Sequence, residues 1–382
     1  CIRDRWSTAS ALLLTQNTGR TRLPAEWEPQ SGVMLTWPHE DSDWGRHLES
    51  VYTTVADIGA AIATRQPLLS VCRSNRHAGL IRRLLVAAGA PLDRALFCIA
   101  DSNDSWARDH GPLTTLHGEV PVLNDFIFDG WGGRCESSLD SAITQQLYRQ
   151  RAFGDLAIRS RDLVLEGGAI ETDGRGTLLA TRSSILSRQR NPGTSRPTIE
   201  HRLGDWLGLD RILWLDHGRL DGDDTDGHID TLARFSDPDT ILYASAPPGD
   251  TDHAELAAMA RQLRTFRTRD GRPYRLLPLP FPGVHRDASG RRLPASYANF
   301  LIINGAVLLP VYGVRQDQEA AALLKLAFPS REIVTLDCRP LIQQNGSLHC
   351  LTMHLPVLLG LHDRLQAGPG VEPEARSHSF YE

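Results

Sequence analysis

The sequence predicts an α/β protein, because strand-like and helix-like segments alternate along the whole chain. Short apolar runs bounded by Gly, Pro, Asp or Asn are typical of strands. Amphipathic runs with apolar residues at spacings of three and four are typical of helices. Single helices recur between groups of strands roughly every 55–70 residues, which suggests several similar units. No long linker divides the 382 residues, so we expect one α/β domain.

The individual elements follow from these patterns in chain order. In the segment 47–63, for example, Val51, Val55, Ile58 and Ile62 fall on one helical face. The predicted helices are 47–63, 77–88, 137–150, 195–207, 252–266 and 316–327. The predicted strands are 32–37, 67–72, 94–100, 176–181, 211–215, 240–245, 299–312 and 331–336. We expect residues 1–22 to be an N-terminal tail, 23–365 the folded domain and 366–382 a C-terminal tail.

The composition narrows the partners and the compartment. The net charge is −5 with no basic patch, which argues against nucleic acid as the main partner. No apolar run reaches the ~18 residues of a membrane span, so no membrane association is expected. Six scattered cysteines without a C-x-x-C pair do not resemble a disulfide scaffold. We therefore expect a reducing, cytoplasmic location.

Two early stretches combine aromatic and charged residues. Residues 23–44 contain three tryptophans, including Trp37, and five carboxylates. They could form a wall for a cation, or a strand followed by a solvated turn. Residues 103–112, NDSWARDHGP, place Trp106, Arg108, Asp109 and His110 just before Gly-Pro. A site loop is favoured there over a plain turn.

Two later stretches place carboxylates at strand ends or beside a histidine. Glu166 ends an apolar run and is followed by Gly167 and Gly168, which permit close backbone approach. A bulged strand with an exposed Glu is the alternative. In 220–235, calcium is disfavoured because the EF-hand register fails, and zinc because no ligand cluster accompanies the His. An extended strand would put His228 and Asp230 on one face, as an acid–base group beside a cation anchor.

The stretch 341–356, LIQQNGSLHCLTMHLP, contains Cys350 between two histidines. If LHCLTM is a strand, His349 faces away from Cys350, and His354 lies about 13 Å along the strand. Any histidine partner must then come from elsewhere, and His228 is the best candidate. The alternative for a lone cysteine is a small buried hydrophobic residue.

Together these stretches resemble agmatine deiminases and Porphyromonas-type peptidyl-arginine deiminases of the guanidino-group-modifying (pentein) superfamily. The matching segments are PAEWEPQSGVMLTWP, NDSWARDHGP, LEGGAIETDG, DTDGHIDTLARF, YANFLIINGAVLLPVYG and GSLHC. The resemblance implies a five-bladed pseudo-symmetric α/β propeller of ββαβ-type units, with 23–365 as the catalytic domain. It also implies hydrolysis of a guanidinium to a ureido group and ammonia, without a metal or an organic cofactor.

The resemblance further implies a role for each matching residue. Cys350 would be the nucleophile and His228 the general acid–base, which Glu166 would contact and polarise. Asp109 and Asp230 would bind the guanidinium nitrogens. For agmatine the product would be N-carbamoylputrescine, on the route to putrescine. Substrate contacts are also expected from Gly168, from Trp37 and Trp106 to an ammonium tail, and from Arg108 to the carboxylate of a free arginine.

Three alternatives remain open at the level of sequence. The substrate could be free arginine, peptidyl-arginine or another guanidino compound instead of agmatine. The chain could be a catalytically silent propeller that binds polyamine-like cations, although all five expected catalytic positions are filled. A cysteine hydrolase of amides would need an oxyanion hole instead of two carboxylates facing the substrate. A homodimer is compatible with the sequence, which does not decide the oligomeric state.

Overall fold

The computed structural model describes residues 19–356. The predicted tails therefore lie largely outside the described residues, and the division into tail, domain and tail stays a prediction. Thr21 and Arg22, at the end of the predicted N-terminal tail, form a short strand that pairs antiparallel with His117 and Leu116.

The described chain alternates strands and helices, which confirms the α/β class. The strands are β1 (Thr21–Arg22), β2 (Gln30–Thr36), β3 (Leu68–Cys72), β4 (Ala95–Ile99), β5 (Leu113–His117), β6 (Val120–Ile127), β7 (Ala157–Val164), β8 (Ile170–Thr172), β9 (Thr177–Thr181), β10 (Arg211–Leu215), β11 (Ala233–Asp237), β12 (Thr240–Tyr243), β13 (Arg275–Pro278), β14 (His285–Arg286), β15 (Arg292–Leu293), β16 (Leu301–Ile303), β17 (Ala306–Val311), β18 (Glu332–Asp337) and β19 (Thr352–Pro356). The helices are α1 (Leu48–Ala63), α2 (Asn75–Ala87), α3 (Ala107–His110), α4 (Gly130–Gly133), α5 (Ser138–Ser141), α6 (Ile143–Arg149), α7 (Arg182–Ile185), α8 (Arg196–Leu207), α9 (His253–Leu263) and α10 (Gln316–Ala327).

The six helices and eight strands predicted from periodicity are confirmed at about their predicted bounds, whereas the strand predicted for LHCLTM begins only at Thr352. The segment 299–312 is a hairpin of β16 and β17, and 137–150 contains two short helices, α5 and α6. Several strands that the sequence did not predict, such as β5, β6, β7 and β11, complete the sheets.

Most of the sheets repeat one local topology. In residues 19–356, five of the six sheets have three or four strands, and the sixth pairs β14 with β15. In each of the five, an antiparallel pair is followed through helical segments by a parallel strand. The predicted repetition of similar strand–helix units is therefore present in the backbone pairing.

The two ends of the described chain meet in one sheet. Strand β19 pairs antiparallel with β2, with Thr352 opposite Leu35 and His354 opposite Val33. This pairing places the segment that carries Cys350 beside the N-terminal strand. Residues from opposite ends of the described chain can therefore contribute to one site.

The core consists of apolar strands covered by amphipathic helices. The four residues predicted on the apolar face of α1, namely Val51, Val55, Ile58 and Ile62, are fully buried. Helix α8 begins after Ser195, whose side chain accepts a hydrogen bond from Thr198 N, as an N-cap does. It ends at Gly208, whose φ of 71° is in the left-handed region. The polar site residues lie in short connections that this framework holds in place.

Candidate active site

One cavity of about 260 Å³ collects most of the predicted site residues. Its wall is formed by the connections after β4 and before β11 and β19, together with α4. The polar and aromatic residues that line it include Asp43, Asp104, Trp106, Asp109, Trp131, Asp223, Asp224, His228, Asp230, Arg291, Asn345 and Cys350.

Cys350 lies in a tight turn before β19 and not in a strand, which corrects the predicted extension of LHCLTM. The turn is fastened by the side chain of Asn299, whose Oδ1 accepts hydrogen bonds from His349 N at 2.9 Å and Cys350 N at 3.3 Å. Asn299 Nδ2 donates to Cys350 Sγ at 3.2 Å. Asp230 Oδ2 lies 3.5 Å from the same sulfur. The thiol is therefore oriented by an amide and faces a carboxylate.

The two predicted guanidinium ligands are both buried and differently supported. Asp109 accepts hydrogen bonds from Gly168 N at 3.0 Å and from Trp131 Nε1 at 2.9 Å. Asp230 accepts one from His349 Nδ1 at 2.9 Å through Oδ2, while its Oδ1 is buried without a partner. A buried carboxylate oxygen without a donor is costly, so Oδ1 is suited to a ligand that brings its own N–H group.

The sequence predicted that His228 and Asp230 share one face of a strand, and the structure corrects this. Asp230 lies in a 3₁₀ turn, Ile229–Thr231, and His228 directly precedes that turn. The two residues nevertheless line the same cavity. Both ring nitrogens of His228 are buried without a hydrogen bond, and Nδ1 lies 3.6 Å from Asp109 Oδ1.

Gly168 forms the floor between these three side chains. A Cβ atom added there would lie 2.6 Å from His228 Nδ1, 2.8 Å from Asp109 Oδ1 and 3.2 Å from Asp230 Oδ2. The absence of a side chain at Gly168 thus leaves open the space that both carboxylates and the imidazole face.

Glu166 is fully buried and makes no hydrogen bond to His228, which the sequence argument expected it to contact. Its Oε1 accepts a hydrogen bond from Arg190 Nε at 2.6 Å, and its Oε2 has no partner. Arg190 also donates to Asp226 Oδ2 at 2.7 Å and to Thr225 O at 3.0 Å. The guanidinium of Arg190 therefore joins Glu166 to the loop that leads into His228.

The electrostatics of the free site keep the thiol and the imidazole neutral. Burial, and then the negative charges of Asp230 and Asp109, raise the pKa of Cys350 well above its ordinary value. Burial lowers the pKa of His228 to about 3. A thiolate–imidazolium pair is thus disfavoured before a substrate binds.

The two carboxylates also differ in charge. Burial, and then the charges of Asp230 and Glu166, raise the pKa of Asp109 well above its ordinary value. Burial acts in the same direction on Asp230, but the hydrogen bond and charge of His349 outweigh it and hold the pKa below its ordinary value. The free site therefore favours ionisation of Asp230 over ionisation of Asp109.

The predicted residues for the substrate tail are only partly brought together. Trp106 lines the cavity. Trp37 is fully buried in the apolar core and is not among the described residues that line the cavity. Arg108 points away, towards Glu26 and His354, and lines a separate small cavity of about 30 Å³. The structure therefore corrects the predicted contacts of Trp37 and Arg108 with the substrate tail. The structure adds Trp131, which lines the cavity and donates to Asp109.

His349 also departs from expectation. Strand alternation predicted that it faces away from the site, but the turn directs its ring onto Asp230 and, on the other side, onto Glu26 Oε2 at 2.8 Å. Asn299, Trp131, Arg190 and His349 were thus not predicted as site residues. For Asn299 and His349 the available signal was their position in the motif segments, since Asn299 lies in YANF and His349 precedes Cys350, whereas Trp131 and Arg190 lie outside those segments.

The fold is built of repeated strand–helix units, and its cavity is lined by a cysteine and two carboxylates. These two features define a class of proteins. Within this class, the family described as Porphyromonas-type peptidyl-arginine deiminase matches residues 22–356. The chain belongs to this family, which confirms the resemblance seen in the sequence.

Individual relatives support this membership. The agmatine deiminase of Stutzerimonas stutzeri is 32% identical over 87% of this chain and 95% of its own. That of Medicago truncatula is 31% identical over 88% and 96%. Among solved structures, a candidate arginine deiminase of Porphyromonas gingivalis has a TM-score of 0.82 at 44% identity, covering 88% of this chain and 98% of its own. A cysteine-to-serine variant of C. jejuni agmatine deiminase, solved with substrate bound, has a TM-score of 0.81 at 32% identity, covering 89% and 97%.

Two features of the described residues concern membranes and metals. In residues 19–356, none of the helices combines the length and the apolar character that crossing a bilayer requires. Within the same residues, no cluster of three or more His, Cys, Asp or Glu side chains is arranged to hold a metal ion. The expected compartment, oligomeric state and lack of a cofactor stay predictions.

Proposed function

We propose that this protein is an agmatine deiminase that hydrolyses the guanidinium of agmatine to N-carbamoylputrescine and ammonia. The observation that carries the proposal is the arrangement of Cys350 Sγ, 3.5 Å from Asp230 Oδ2, in a cavity that Asp109 also lines. A guanidinium is planar, cationic and rich in donors, so two carboxylates can bind its nitrogens. Its carbon would then face the sulfur.

The charge states of the free site suggest how the nucleophile is activated. A bound guanidinium adds a positive charge beside Asp109, Asp230 and Cys350. That charge favours ionisation of Asp109 and of the thiol. Neutral His228 is able to accept a proton from the thiol, because a neutral imidazole has one free acceptor nitrogen. The substrate thus supplies the charge that the free site lacks.

The proposed reaction then has two stages. The thiolate of Cys350 attacks the guanidinium carbon and forms a C–S bond. His228 returns its proton to the departing nitrogen, the C–N bond breaks, and ammonia leaves behind a thiouronium joined to Cys350. Water, deprotonated by His228, adds to that carbon, and the C–S bond breaks to release the ureido product. We assign Glu166 and Arg190 to holding the loop of His228, and the reaction uses neither a metal nor an organic cofactor.

The charge of the cavity supports agmatine over arginine. Asp43, Asp104, Asp223 and Asp224 line it, while Arg291 is the one Lys or Arg among the described lining residues. Arg291 is itself engaged by Asp287 Oδ2 at 3.0 Å. An acidic mouth suits the ammonium tail of agmatine and disfavours a carboxylate, and Trp106 adds an aromatic face.

A second candidate is free arginine or a peptidyl-arginine. It is favoured by one observation, the 44% identity to the P. gingivalis structure described as a candidate arginine deiminase. Both candidates use the same chemistry at the guanidinium and differ only in the tail.

We also propose the five-bladed α/β propeller as the full architecture. Support comes from the five sheets that share one local topology and from the pairing of β19 with β2, which joins the last described strand to the first unit.

The test is a ureido-product assay on agmatine, arginine and an arginyl peptide in parallel. We expect product from agmatine first, and none from a Cys350→Ser variant that still binds agmatine. Product mainly from arginine or the peptide would transfer the assignment to the second candidate. Full activity of Cys350→Ser, or no product from any of the three, would refute a cysteine-dependent deiminase.

A further inference from the structure

His349 is clamped between two buried carboxylates. Its Nδ1 lies 2.9 Å from Asp230 Oδ2, and its Nε2 lies 2.8 Å from Glu26 Oε2. The ring and both carboxylates are at most 5% exposed. An ionised carboxylate can only accept hydrogen bonds, so two such bonds require a proton on both ring nitrogens. With both carboxylates ionised, this geometry is that of an imidazolium.

The clamp belongs to a balanced set of buried charges. Glu26 also accepts hydrogen bonds from Arg234 at 3.0 Å and Arg108 at 3.3 Å. Arg234 donates in turn to Glu171 Oε2 at 2.7 Å. With His349 charged, three cations face three carboxylates; with His349 neutral, the set carries one uncompensated negative charge. Uncompensated charge is expensive in a buried site, which favours the imidazolium.

We propose that His349 is a positioning residue that keeps Asp230 ionised and turned towards the cavity before the substrate arrives. The inference rests on the proposed function and adds that the two guanidinium ligands, Asp230 and Asp109, differ in charge before the substrate binds. Asp230 is charged in advance, because His349 neutralises it from behind. Its Oδ2 is held by His349, so its unpartnered Oδ1 is left for the substrate.

Asp109 lacks such a partner. Its two hydrogen bonds come from neutral donors, Trp131 Nε1 and Gly168 N. The imidazole of His228, 3.6 Å away, is uncharged in the free site. We therefore expect Asp109 to hold a proton more readily than Asp230 in the free site and to release it, about one proton, when the guanidinium binds.

The groups around His349 come from several elements. Asp230 comes from the 3₁₀ turn, Glu26 from the segment before β2, Arg108 from α3, Glu171 from β8, Arg234 from β11 and His354 from β19. His354 Nδ1 accepts a hydrogen bond from Arg108 Nη1 at 2.9 Å, so that nitrogen is not protonated. The two histidines of one segment thus have opposite states, and His354 provides a matched control.

The experiment measures binding of agmatine to the Cys350→Ser enzyme by calorimetry in buffers with different ionisation enthalpies. This gives the number of protons released on binding. With His349 intact we expect about one proton, from Asp109. In Cys350→Ser/His349→Gln, Asp230 loses its compensating charge and is protonated in part, so we expect release to rise towards about two. Affinity at neutral pH should fall at least ~10-fold, which corresponds to a shift of one pKa unit.

The matched control is Cys350→Ser/His354→Gln, which should keep both the proton count and the affinity. A role of His349 in packing alone would weaken binding without changing the proton count. Unchanged proton release in the His349→Gln variant would therefore overturn the proposal.

A second measurement does not depend on whether the His349→Gln variant folds. In ¹⁵N-histidine spectra of the Cys350→Ser enzyme, we expect His349 to carry protons on both nitrogens at neutral pH. A single-tautomer spectrum for His349 would overturn the proposal even if agmatine binds. If Cys350→Ser fails to bind agmatine at all while His349 is an imidazolium, the proposed function fails and the charge state of His349 stands.

Discussion

The substitution Gly168→Ala tests the proposed guanidinium site with a single methyl group. Gly168 is not among the glycines with positive φ, so alanine fits the backbone. The new Cβ would lie 2.8 Å from Asp109 Oδ1 and 3.2 Å from Asp230 Oδ2. It would occupy the space between the two carboxylates, where the proposed substrate places its nitrogen atoms.

The size of the effect follows from the contacts at stake. A hydrogen bond to a charged group contributes about 1.5–3 kcal/mol. Loss of one such bond to each carboxylate would raise the barrier by about 3–6 kcal/mol, or about 10²–10⁴-fold in kcat/KM. The methyl group also approaches His228 Nδ1 at 2.6 Å, and overpacking costs typically about 1–3 kcal/mol of stability.

The assay is steady-state ureido formation from agmatine, with thermal unfolding measured in parallel. Gly79→Ala is the matched control, since a Cβ there has its nearest neighbour, Arg83 Nη1, at 3.9 Å and lies within α2. It should leave kcat/KM unchanged and stabilise the helix by up to ~1 kcal/mol. A Gly168→Ala enzyme within a few-fold of wild-type kcat/KM would refute the placement of the guanidinium between Asp109 and Asp230.

The remaining predictions concern the nucleophile and its supports. Because the pKa of Cys350 is raised in the free enzyme, alkylation of Cys350 by iodoacetamide at neutral pH should be slow. Rapid alkylation of Cys350 would contradict a neutral resting thiol. Asn299→Leu removes the amide that donates to Sγ and should reduce kcat by about 10–10²-fold; unchanged kcat would exclude its role. Arg190→Met leaves Glu166 buried and unpaired and should cost about 3–5 kcal/mol in denaturant unfolding, whereas Arg190→Met/Glu166→Gln should recover much of it. The pKa of Glu26 is held well below 4.5 because Arg234, His349 and Arg108 outweigh burial, so its contribution to stability is present above about pH 4.5 and is lost as pH falls through the folded-state pKa; Glu26→Gln should flatten that acid limb, and an unchanged limb would contradict the assigned charge.

The apolar part of the fold was predictable because burial leaves a local signature. Strands such as β3, β9 and β17 are nearly uniform runs of apolar residues. Strand β6 escaped prediction since it contains Asn124 and Asp125. Their polarity is satisfied by distant partners, for example by Arg161 Nε donating to Asn124 Oδ1 at 2.9 Å. No local pattern reveals a partner that is 37 residues away.

The site was predictable in its membership more than in its geometry. Cys350, His228, Asp109 and Asp230 do line one cavity. The orientation of His349 was missed because alternation assumes an extended backbone. The backbone turns there instead, with Leu351 N donating to Ser347 O at 3.2 Å and Thr352 N to His349 O at 3.0 Å.

Burial explains why two of the tail residues were assigned wrongly. Trp37 and Arg108 have side chains that suit a cation or a carboxylate, and composition alone cannot tell whether such side chains reach a cavity. Trp37 continues the apolar strand β2 into the core. Arg108 donates a hydrogen bond to Glu26, a residue more than eighty positions earlier, instead of reaching the cavity.

The two buried charge clusters explain how the thiol of Cys350 and the imidazole of His228 can be neutral in the free enzyme while the cavity still attracts a cation. Behind Asp230, His349 provides a positive charge that does not enter the cavity, so one carboxylate is ionised at little cost. Beside Glu166, Arg190 provides a second buried positive charge near the loop of His228, although burial outweighs it and raises the pKa of Glu166. Neither cation contacts the thiol in the described hydrogen bonds, so neither lowers its pKa enough to offset burial and two carboxylates. The proposed substrate is then the one charge able to ionise Cys350, which confines the reactive thiolate to the complex that consumes it.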